Sequence, residues 1–215
     1  AAGRPGMPLS VLVVGPQRGA GVSVLTLALA HRLAAGRSSV LVIDGDTNEP
    51  DLTRWLRIPP TASIDALLAE GGRSGRTLKP VPMTTAQAGV SAVGVWAKSD
   101  RGVIRRESVV PMLEAAGQHA DVVLVDGGPM LDLASTLQLC DHVDVVVLAV
   151  PLRHQRIDRL RGVRRELQGT RAVLLPMLTH PSARSRRPPT RPDWIDPVEI
   201  SEPGIADAAG FAQRH

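Results

Sequence analysis

The stretch from Val11 to Ala30, VLVVGPQRGAGVSVLTLALA, constrains the fold of this chain more than any other. Its apolar, β-branched beginning predicts a buried strand, its glycine-rich middle predicts a turn, and the spacing of the leucines after the turn predicts a helix. A strand, a glycine-rich turn and a helix N-terminus in this order form a cradle in which backbone N–H groups bind phosphate. The sequence therefore predicts a phosphate-binding loop that follows a central strand.

The residues that serve phosphate chemistry are only partly present in this loop. In the pattern G-x-x-x-x-G-K-[ST], the lysine reaches the β- and γ-phosphates and the hydroxyl holds Mg²⁺. Aligned on the turn, this chain reads Ala20-Gly21-Val22-Ser23, so the hydroxyl is present and valine stands at the lysine position. The lysines of the chain, Lys79 and Lys98, are far from the loop in sequence. The sequence thus predicts the shape of the loop more firmly than its chemistry.

Composition limits the classes of protein that this chain fits. With 215 residues, 43% of them hydrophobic, it can bury the core of one α/β domain, which we place at residues 1–178. Residues 179–215 are rich in Pro and Arg near their start and form a predicted tail. The single Cys140 excludes an internal disulfide framework and fits a reducing compartment. No apolar run approaches the roughly 20 residues of a membrane span, no signal peptide opens the chain, and it could be a domain excised from a longer protein.

Apolar segments with the lengths of strands and helices alternate along the chain. The predicted strands include 9–15, 39–43, 77–81, 90–97, 122–125, 143–150 and 172–178, and the predicted helices include 21–35, 108–118, 131–139 and 153–167. Short, almost wholly apolar strands that alternate with helices are typical of parallel sheets covered on both faces. The expected fold is α/β, with a doubly wound, mostly parallel sheet flanked by helices.

Acidic residues stand where predicted strands end. Asp44 and Asp46 follow the second strand, and Asp126 follows a later one. Ligands of open parallel sheets bind beyond the carboxyl ends of the strands, which is also where the glycine-rich turn lies. Carboxylates beside a phosphate loop hold Mg²⁺ directly or through water. We therefore expect a nucleotide-type site at this edge of the sheet.

The predicted helix 153–167 is rich in arginine and has one apolar side, formed by Ile157, Leu160, Val163 and Leu167. One interpretation is an ordinary amphipathic helix on the outside of the sheet. The other is a docking surface for an acidic partner or for membrane lipid. The formal charge of +4 also leaves nucleic acid open as a partner, although we favour a solvated helix face followed by a basic tail as the explanation of the charge.

The run from Val11 through DGDTNEPDL resembles the phosphate-loop region of the bacterial tyrosine kinases, which belong to the MinD/ParA-type P-loop ATPases and control capsule and exopolysaccharide synthesis. The matching residues are Gly19-Ala20-Gly21-Val22-Ser23, then Asp44-Gly45-Asp46 and Pro50. The block DVVLVDGGPMLDLASTLQLCDHVDVVVLAV resembles the Walker B segment of the family, with Asp126 as its acid. The likeness extends over residues 9–178 and implies a P-loop fold of MinD/ParA type.

The resemblance also implies a set of site residues, if the site is used. Asp46 would be catalytic. The nucleotide would contact Arg18, Gly19, Ala20, Gly21, Val22, Ser23 and Val24, and Mg²⁺ would contact Ser23, Asp44, Asp46 and Asp126.

Departures from the family pattern put its reaction in doubt. Val22 replaces the lysine, Gln17 stands where the MinD/ParA group has a second lysine, and Asn48 replaces an arginine. Pro176 stands where we expect the asparagine that reads adenine, and the chain has no tyrosine for a kinase tail. Arg18 would either replace the lysine or fill the phosphate site itself, and we favour the second.

Three functional interpretations follow, with ATP or ADP and Mg²⁺ as weak ligands at most. The first is an inactive regulatory or scaffolding module in cell-surface polysaccharide synthesis or export. It would lie in the cytoplasm, at the inner face of the membrane, with a membrane-embedded chain-length or export subunit as partner and with self-association open. The second is a residual ATP-binding or ATPase switch that uses Ser23, Asp46 and Asp126. The third is a ParA-like positioning or secretion protein associated with DNA, a partner that the family pattern disfavours.

Overall fold

The computed structural model describes residues 7–71, 81–82, 89–95, 104, 106–132, 134–152 and 157–179. These residues build one seven-stranded sheet with the order β3-β4-β2-β5-β1-β6-β7. The strands are β1 Leu9–Gly15, β2 Val40–Asp44, β3 Val81–Pro82, β4 Val90–Val93, β5 Val122–Pro129, β6 Val145–Pro151 and β7 Val173–Thr179. All neighbouring strands are parallel except β3, which pairs antiparallel with β4 at one edge. The predicted mostly parallel, doubly wound sheet is confirmed.

Six helices connect these strands within the described residues. They are α1 Val22–Ala35, α2 Asp51–Trp55, α3 Ile64–Gly71, α4 Arg106–Gly117, α5 Ala134–Cys140 and α6 Ile157–Glu166, with a 3-10 turn at Met130–Asp132 before α5. None of the helices in this part of the chain is long and apolar enough to cross a membrane.

The centre of the sheet is formed by its most apolar strands. In β2 and β5 every residue is buried, and in β1 only Leu9 is partly exposed. β-Branched residues favour a pleated backbone, and burial on both faces removes the need for alternating polar residues. These three strands are neighbours, so their carboxyl ends bring residues 15, 44 and 126 together at one edge.

Two hydrophobic cores lie on opposite faces of the sheet. On one face, α1 and α2 cover β1 and β2 through residues such as Leu27 and Leu52. On the other face, α3 to α6 cover the same sheet through residues such as Leu67, Met112, Leu139 and Val163. The sheet therefore holds the phosphate loop and the acidic strand ends between two packed layers of helices.

The sixth helix differs from its prediction. Within the described residues it begins at Ile157, and only Val163 and the following Leu167 of its apolar side are buried. Ile157 was predicted on the core side, but its side chain is 63% exposed. It is the first residue of α6, six residues before the buried Val163. The predicted strand 77–81, except for residue 81, and the tail from residue 180 lie outside the described residues.

Candidate functional site

The phosphate loop occupies the turn between β1 and α1. Gly19 and Gly21 have φ angles of +74° and +83°, in the left-handed region that residues with a Cβ seldom adopt. Gly21 caps α1 with its backbone alone, without a side-chain hydrogen bond. The first N–H groups of a helix have no partner within it, so residues 22–24 present donors and the positive end of the helix dipole at this turn.

Val22 fills part of the loop with an apolar side chain. Its side chain is buried, with 7% exposed. A Cβ built on Gly15 would lie 2.8 Å from Cγ2 of Val22 and 2.7 Å from Cβ of Ala20, so the loop folds tightly over the end of β1. At the position of the family lysine, the structure therefore has an apolar contact inside the loop.

Two side chains from the β6–β7 side of the sheet fasten the loop from outside. The hydroxyl of Thr179, at the end of β7, donates a hydrogen bond of 2.8 Å to the carbonyl of Ala20. The guanidinium of Arg159, in α6, donates to the carbonyl of Pro16 at 3.4 Å and to the carboxylate of Asp132 at 3.3 Å. The conformation of the loop thus depends on two elements more than 130 residues away in sequence.

Asp44 and Asp126 form a buried pair of carboxylates at the ends of adjacent strands. They are register partners in β2 and β5, and their residues are 1% exposed. Oδ2 of Asp44 accepts hydrogen bonds of 2.7 Å from both the backbone N–H and the hydroxyl of Thr53. Oδ1 of Asp126 accepts one from the N–H of Gly128 at 3.1 Å. Oδ1 of Asp44 and Oδ2 of Asp126 are buried without a hydrogen-bond partner in the described part of the chain.

This burial changes the acidity of both groups. Loss of solvation raises the pKa of Asp126 to about 7, against the lowering effect of the Ser23 hydroxyl, which faces this carboxylate as a donor. Burial, followed by the nearby charge of Asp126, also raises the pKa of Asp44 well above its ordinary value. Burial and mutual repulsion disfavour the charged forms of these two carboxylates. A bound cation would offset both effects, so the pair fits a cation site.

Asp46 lies beside this pair in a turn that its own side chain stabilises. Its Oδ1 accepts hydrogen bonds from the N–H groups of Asn48 and Glu49 at 3.1 and 3.0 Å. Burial is the largest cause of its raised pKa. Gly128 packs directly against this carboxylate and has a φ of +61°, so a side chain there would overlap Asp46.

Arg18 forms an ion pair with Glu49 on the outer side of the loop. Both side chains are nearly half exposed. The guanidinium also lowers the pKa of Asp46 through its charge. We expected Arg18 to fill the phosphate site, but in this structure it pairs with Glu49, and Val22 occupies the interior of the loop.

The structure brings most of the predicted site residues together at one edge of the sheet. The loop residues 18–23 border the acidic residues 44, 46 and 126, and Ser23 faces Asp126. Val24 points outward from the first turn of α1 and is 39% exposed. Pro176 is not at this edge: it pairs with Leu148 in the middle of β7, and the strand runs on to Thr179. Thr179 is the residue at the end of the strand beside the loop, and the role expected at Pro176 stays a prediction.

Sequence reasoning missed Thr179, Arg159 and Gly128. Thr179 lies one residue beyond the predicted strand 172–178, and the pairing of β7 with β6 fixes that boundary. Gly128 could have been suspected from its place after the Walker B acid, where a second glycine in a row indicates a tight backbone approach. Arg159 is one of several arginines in a solvated helix, and nothing in the sequence distinguishes it from the others.

The donor set fits a hard cation that keeps water or phosphate ligands. Within the described residues no three acidic, histidine or cysteine side chains converge closely enough to hold a metal alone. Mg²⁺ in nucleotide sites usually takes only one or two carboxylates and completes its shell with water and phosphate oxygens. The carboxylate oxygen of Asp126 that lacks a hydrogen bond lies beside the Ser23 hydroxyl and fits that pattern. The interior of the described loop has no positively charged side chain that would bind a phosphate.

Comparison with known proteins agrees with this architecture. No protein-family model matches the chain. It is 25% identical over 160 residues to the "Putative tyrosine-protein kinase EpsB" of Ralstonia solanacearum, a match that covers 74% of this chain and 21% of that protein. The chain thus spans about a fifth of the length of the curated relatives it matches.

Solved structures share the fold over most of the described chain. The kinase domain of VpsO has a TM-score of 0.65 and 22% identity, over 83% of this chain and 88% of that one. A ParA family ATPase from Chlorobium tepidum has a TM-score of 0.60 and 16% identity, over 82% and 76% of the two chains. We conclude that the chain is similar to a putative tyrosine-protein kinase named EpsB and has the P-loop fold that bacterial tyrosine kinase domains share with ParA family ATPases.

Proposed function

We propose that this chain is a P-loop domain that has lost phosphoryl transfer and acts as a regulatory or scaffolding module in the synthesis or export of a cell-surface polysaccharide. The observation that carries the proposal is Val22, which packs against Gly15 inside the loop at the position of the phosphate-binding lysine. An apolar side chain there neither binds the phosphates nor balances the charge that develops during phosphoryl transfer.

The expected loss of affinity for the phosphates of a nucleotide supports the proposal. A charge-assisted hydrogen bond to a phosphate contributes about 1.5–3 kcal/mol, which corresponds to about 10- to 150-fold in affinity. Arg18 does not supply the missing contact, since it pairs with Glu49 on the outer side of the loop. The rate of phosphoryl transfer would fall further than the affinity, because the lysine acts more strongly on the transition state than on the bound nucleotide.

The proposed setting follows from the relatives and from the resemblance of the motifs. The similar proteins are named as a putative tyrosine-protein kinase and as a kinase domain. The family that the motifs resemble controls capsule and exopolysaccharide synthesis. The module would act at the inner face of the membrane through a membrane-embedded chain-length or export subunit, and self-association of the domain fits the same setting. This chain has no tyrosine to receive a phosphoryl group.

A second candidate function, residual binding of a nucleotide with Mg²⁺, is favoured by one observation. The buried carboxylates of Asp44 and Asp126 each keep one oxygen without a hydrogen bond in the described residues, an arrangement that a cation would relieve. Ser23, Asp46 and Asp126 would hold that Mg²⁺, which would supply charge for the phosphates of a nucleotide. Backbone N–H groups at the start of α1 would then bind the phosphates without a lysine.

Titration with ATP and Mg²⁺, followed by calorimetry and by the melting temperature, separates the two candidates. No shift in Tm at millimolar ATP supports the inactive module, whereas a micromolar Kd contradicts it and supports the second function. Val22→Lys should raise the affinity at least about tenfold if only the lysine is missing. Gln118→Lys is the matched control, because it adds the same charge to an exposed side chain that follows α4, away from the loop.

The regulatory role is tested in the source bacterium. Deletion of the gene should lower the amount of surface polysaccharide, and the wild-type gene should restore it. The variant Ser23→Ala with Asp126→Asn should restore it equally well, because a scaffold does not need the Mg²⁺ residues. Failure of this variant, with the protein present at wild-type level, would show that the acidic site is in use.

A further inference from the structure

Several exposed apolar side chains of the described chain lie on β7 and at the start of α6. Leu152, Ile157 and Leu178 are 54%, 63% and 70% exposed, and Leu174 and Leu175, on opposite faces of β7, are 43% and 48% exposed. We call Leu152, Ile157, Leu174 and Leu178, together with Arg161, Arg164 and Arg165 of α6, the α6–β7 patch. Soluble proteins often expose single apolar residues, but several adjacent ones indicate an interaction surface.

The four apolar residues lie on one side of the sheet. Ala172 packs against the core beneath α3 to α6, while the hydroxyl of Thr179 reaches the loop on the α1 side. Side chains alternate along a strand, so Leu174 and Leu178 point to the same face as Ala172. The N–H of Leu152 donates to the carbonyl of Thr179 at 2.8 Å, so Leu152 adjoins Leu178 at the carboxyl end of this strand pair. Ile157 opens α6 on the same side.

Positive charge accompanies these apolar side chains. Ile157, Arg161 and Arg164 follow one another at the i, i+4 and i+7 positions of a single helix stripe. Arg164 and Arg165 are exposed, and Arg161, also exposed, has a long contact of 3.8 Å to Asp158. The helix contains four arginines against two acidic residues, and the sequence of residues 180–192 adds four more arginines and no acidic residue.

The structure also disfavours one alternative, the addition of a strand from a partner protein. The N–H of Val173 and the carbonyl of Thr179 both bond toward β6, so the odd-numbered residues of β7 pair with β6 and the even-numbered ones face the free edge. Pro176 is one of these and has no N–H, which interrupts the free edge at its centre. In addition, the patch has no aromatic residue, the type that protein–protein interfaces concentrate at their centres, and leucine is under-represented there.

We propose that the α6–β7 patch docks this domain on an anionic membrane surface, with Leu152, Ile157 and Leu178 entering the headgroup region and the arginines of α6 contacting lipid phosphates. Exposed aliphatic side chains beside arginines do not require a partner with hydrogen-bonding groups at fixed positions. A lipid surface provides both the apolar layer and the negative charge that they match. The patch shares no side chain with the acidic strand ends.

Vesicle sedimentation with the full 215-residue chain tests the proposal. The protein should bind vesicles of 70% phosphatidylcholine and 30% phosphatidylglycerol, bind pure phosphatidylcholine vesicles weakly or not at all, and dissociate at 500 mM NaCl. Arg164→Glu with Arg165→Glu should lower the partition coefficient at least about tenfold. Ile157→Ser with Leu178→Ser should lower it by a similar factor, since apolar insertion contributes alongside charge.

The matched control is Leu175→Ser with Val173→Ser, which removes two exposed side chains from the opposite face of β7 and should leave vesicle binding unchanged. Circular dichroism and the melting temperature verify that each variant is folded. Equal binding of the control and patch variants, or equal binding to both lipid mixtures, overturns the proposal. It is also overturned if Ile157→Ser with Leu178→Ser abolishes a dimer seen by light scattering while vesicle binding is unaffected, or if the chain binds duplex DNA but not vesicles.

Discussion

Gly128 connects the end of β5 with the turn at Asp46 through the contacts of its backbone. It follows Asp126 by two residues, donates its N–H to that carboxylate, and lies against the carboxylate of Asp46. Its φ of +61° and the space occupied by Asp46 both exclude a side chain. The sequence shows a glycine here, but only the contact with Asp46 explains why glycine is required.

Gly128→Ala should therefore lower the free energy of unfolding by about 3 kcal/mol, from backbone strain and displacement of a buried carboxylate together. Gly19→Ala is the control, since Gly19 has a φ of +74° and a Cβ added to it would meet no atom within 4 Å, and it should cost about 1 kcal/mol. Urea denaturation measures both values. A loss no larger for Gly128→Ala than for Gly19→Ala would show that Asp46 moves away without cost.

Asp126 makes the stability of the domain depend on pH. In the folded protein its pKa is raised from 3.8 to about 7. At a pH between these two values, Asp126 is protonated in the folded state and ionised in the unfolded state. The free energy of unfolding should fall as the pH rises from about 4 to 7 and then level off. Asp44, whose pKa is raised for the same reason, acts in the same direction.

Asp126→Asn should flatten this dependence and stabilise the domain by about 2 kcal/mol at pH 8, with little effect at pH 4. Unfolding in urea at pH 4, 6 and 8 compares it with the wild type. The prediction fails if the variant is less stable than the wild type at pH 8 in the absence of Mg²⁺. Addition of Mg²⁺ should stabilise only the wild type if the second candidate function holds.

At the scale of elements, the phosphate loop depends on β7, the last described strand. β7 ends one residue beyond the predicted strand, and that residue, Thr179, bonds to the carbonyl of Ala20. Periodicity predicts that a strand exists more reliably than where it stops, because the final residue is fixed by pairing with β6.

Thr179→Val should loosen the loop, because it removes the hydroxyl and preserves the shape of the side chain. We expect a loss of about 1 kcal/mol in stability and faster hydrogen exchange at the amides of residues 19–22. Thr170→Val is the control, since the hydroxyl of Thr170 makes a similar 2.8 Å bond to the carbonyl of Cys140, away from the loop. Equal exchange at the loop in both variants would contradict a role for β7 in holding it.

At the scale of the whole molecule, one sheet separates two hydrophobic cores and contributes buried side chains to both. Leu12 faces the side of α3 to α6, and Leu27 of α1 packs on the opposite side, each fully buried. Since strands and helices alternate along the chain, each core draws residues from most of its length. We therefore expect the two cores to unfold together.

Leu12→Ala and Leu27→Ala should each lower the free energy of unfolding by about 2–5 kcal/mol, whereas Leu178→Ala, at a position 70% exposed, should change it by less than about 1 kcal/mol. Urea unfolding followed by fluorescence and by circular dichroism measures the effects. Separate transitions in the two probes, or a large loss for Leu178→Ala, would contradict a single cooperative sheet with an uncovered edge strand.

The sequence by itself determined the parallel α/β fold, the position of the phosphate loop and the loss of its lysine. Those features are local, because they depend on apolar periodicity, on glycines in a turn and on the identity of one residue. Tertiary structure alone decided that Val22 packs inside the loop, that Arg18 pairs with Glu49, that Thr179 rather than Pro176 reaches the loop, and that Ile157 is exposed. Each of these depends on strand register or on side-chain packing between distant segments, and no local pattern in the sequence encodes them.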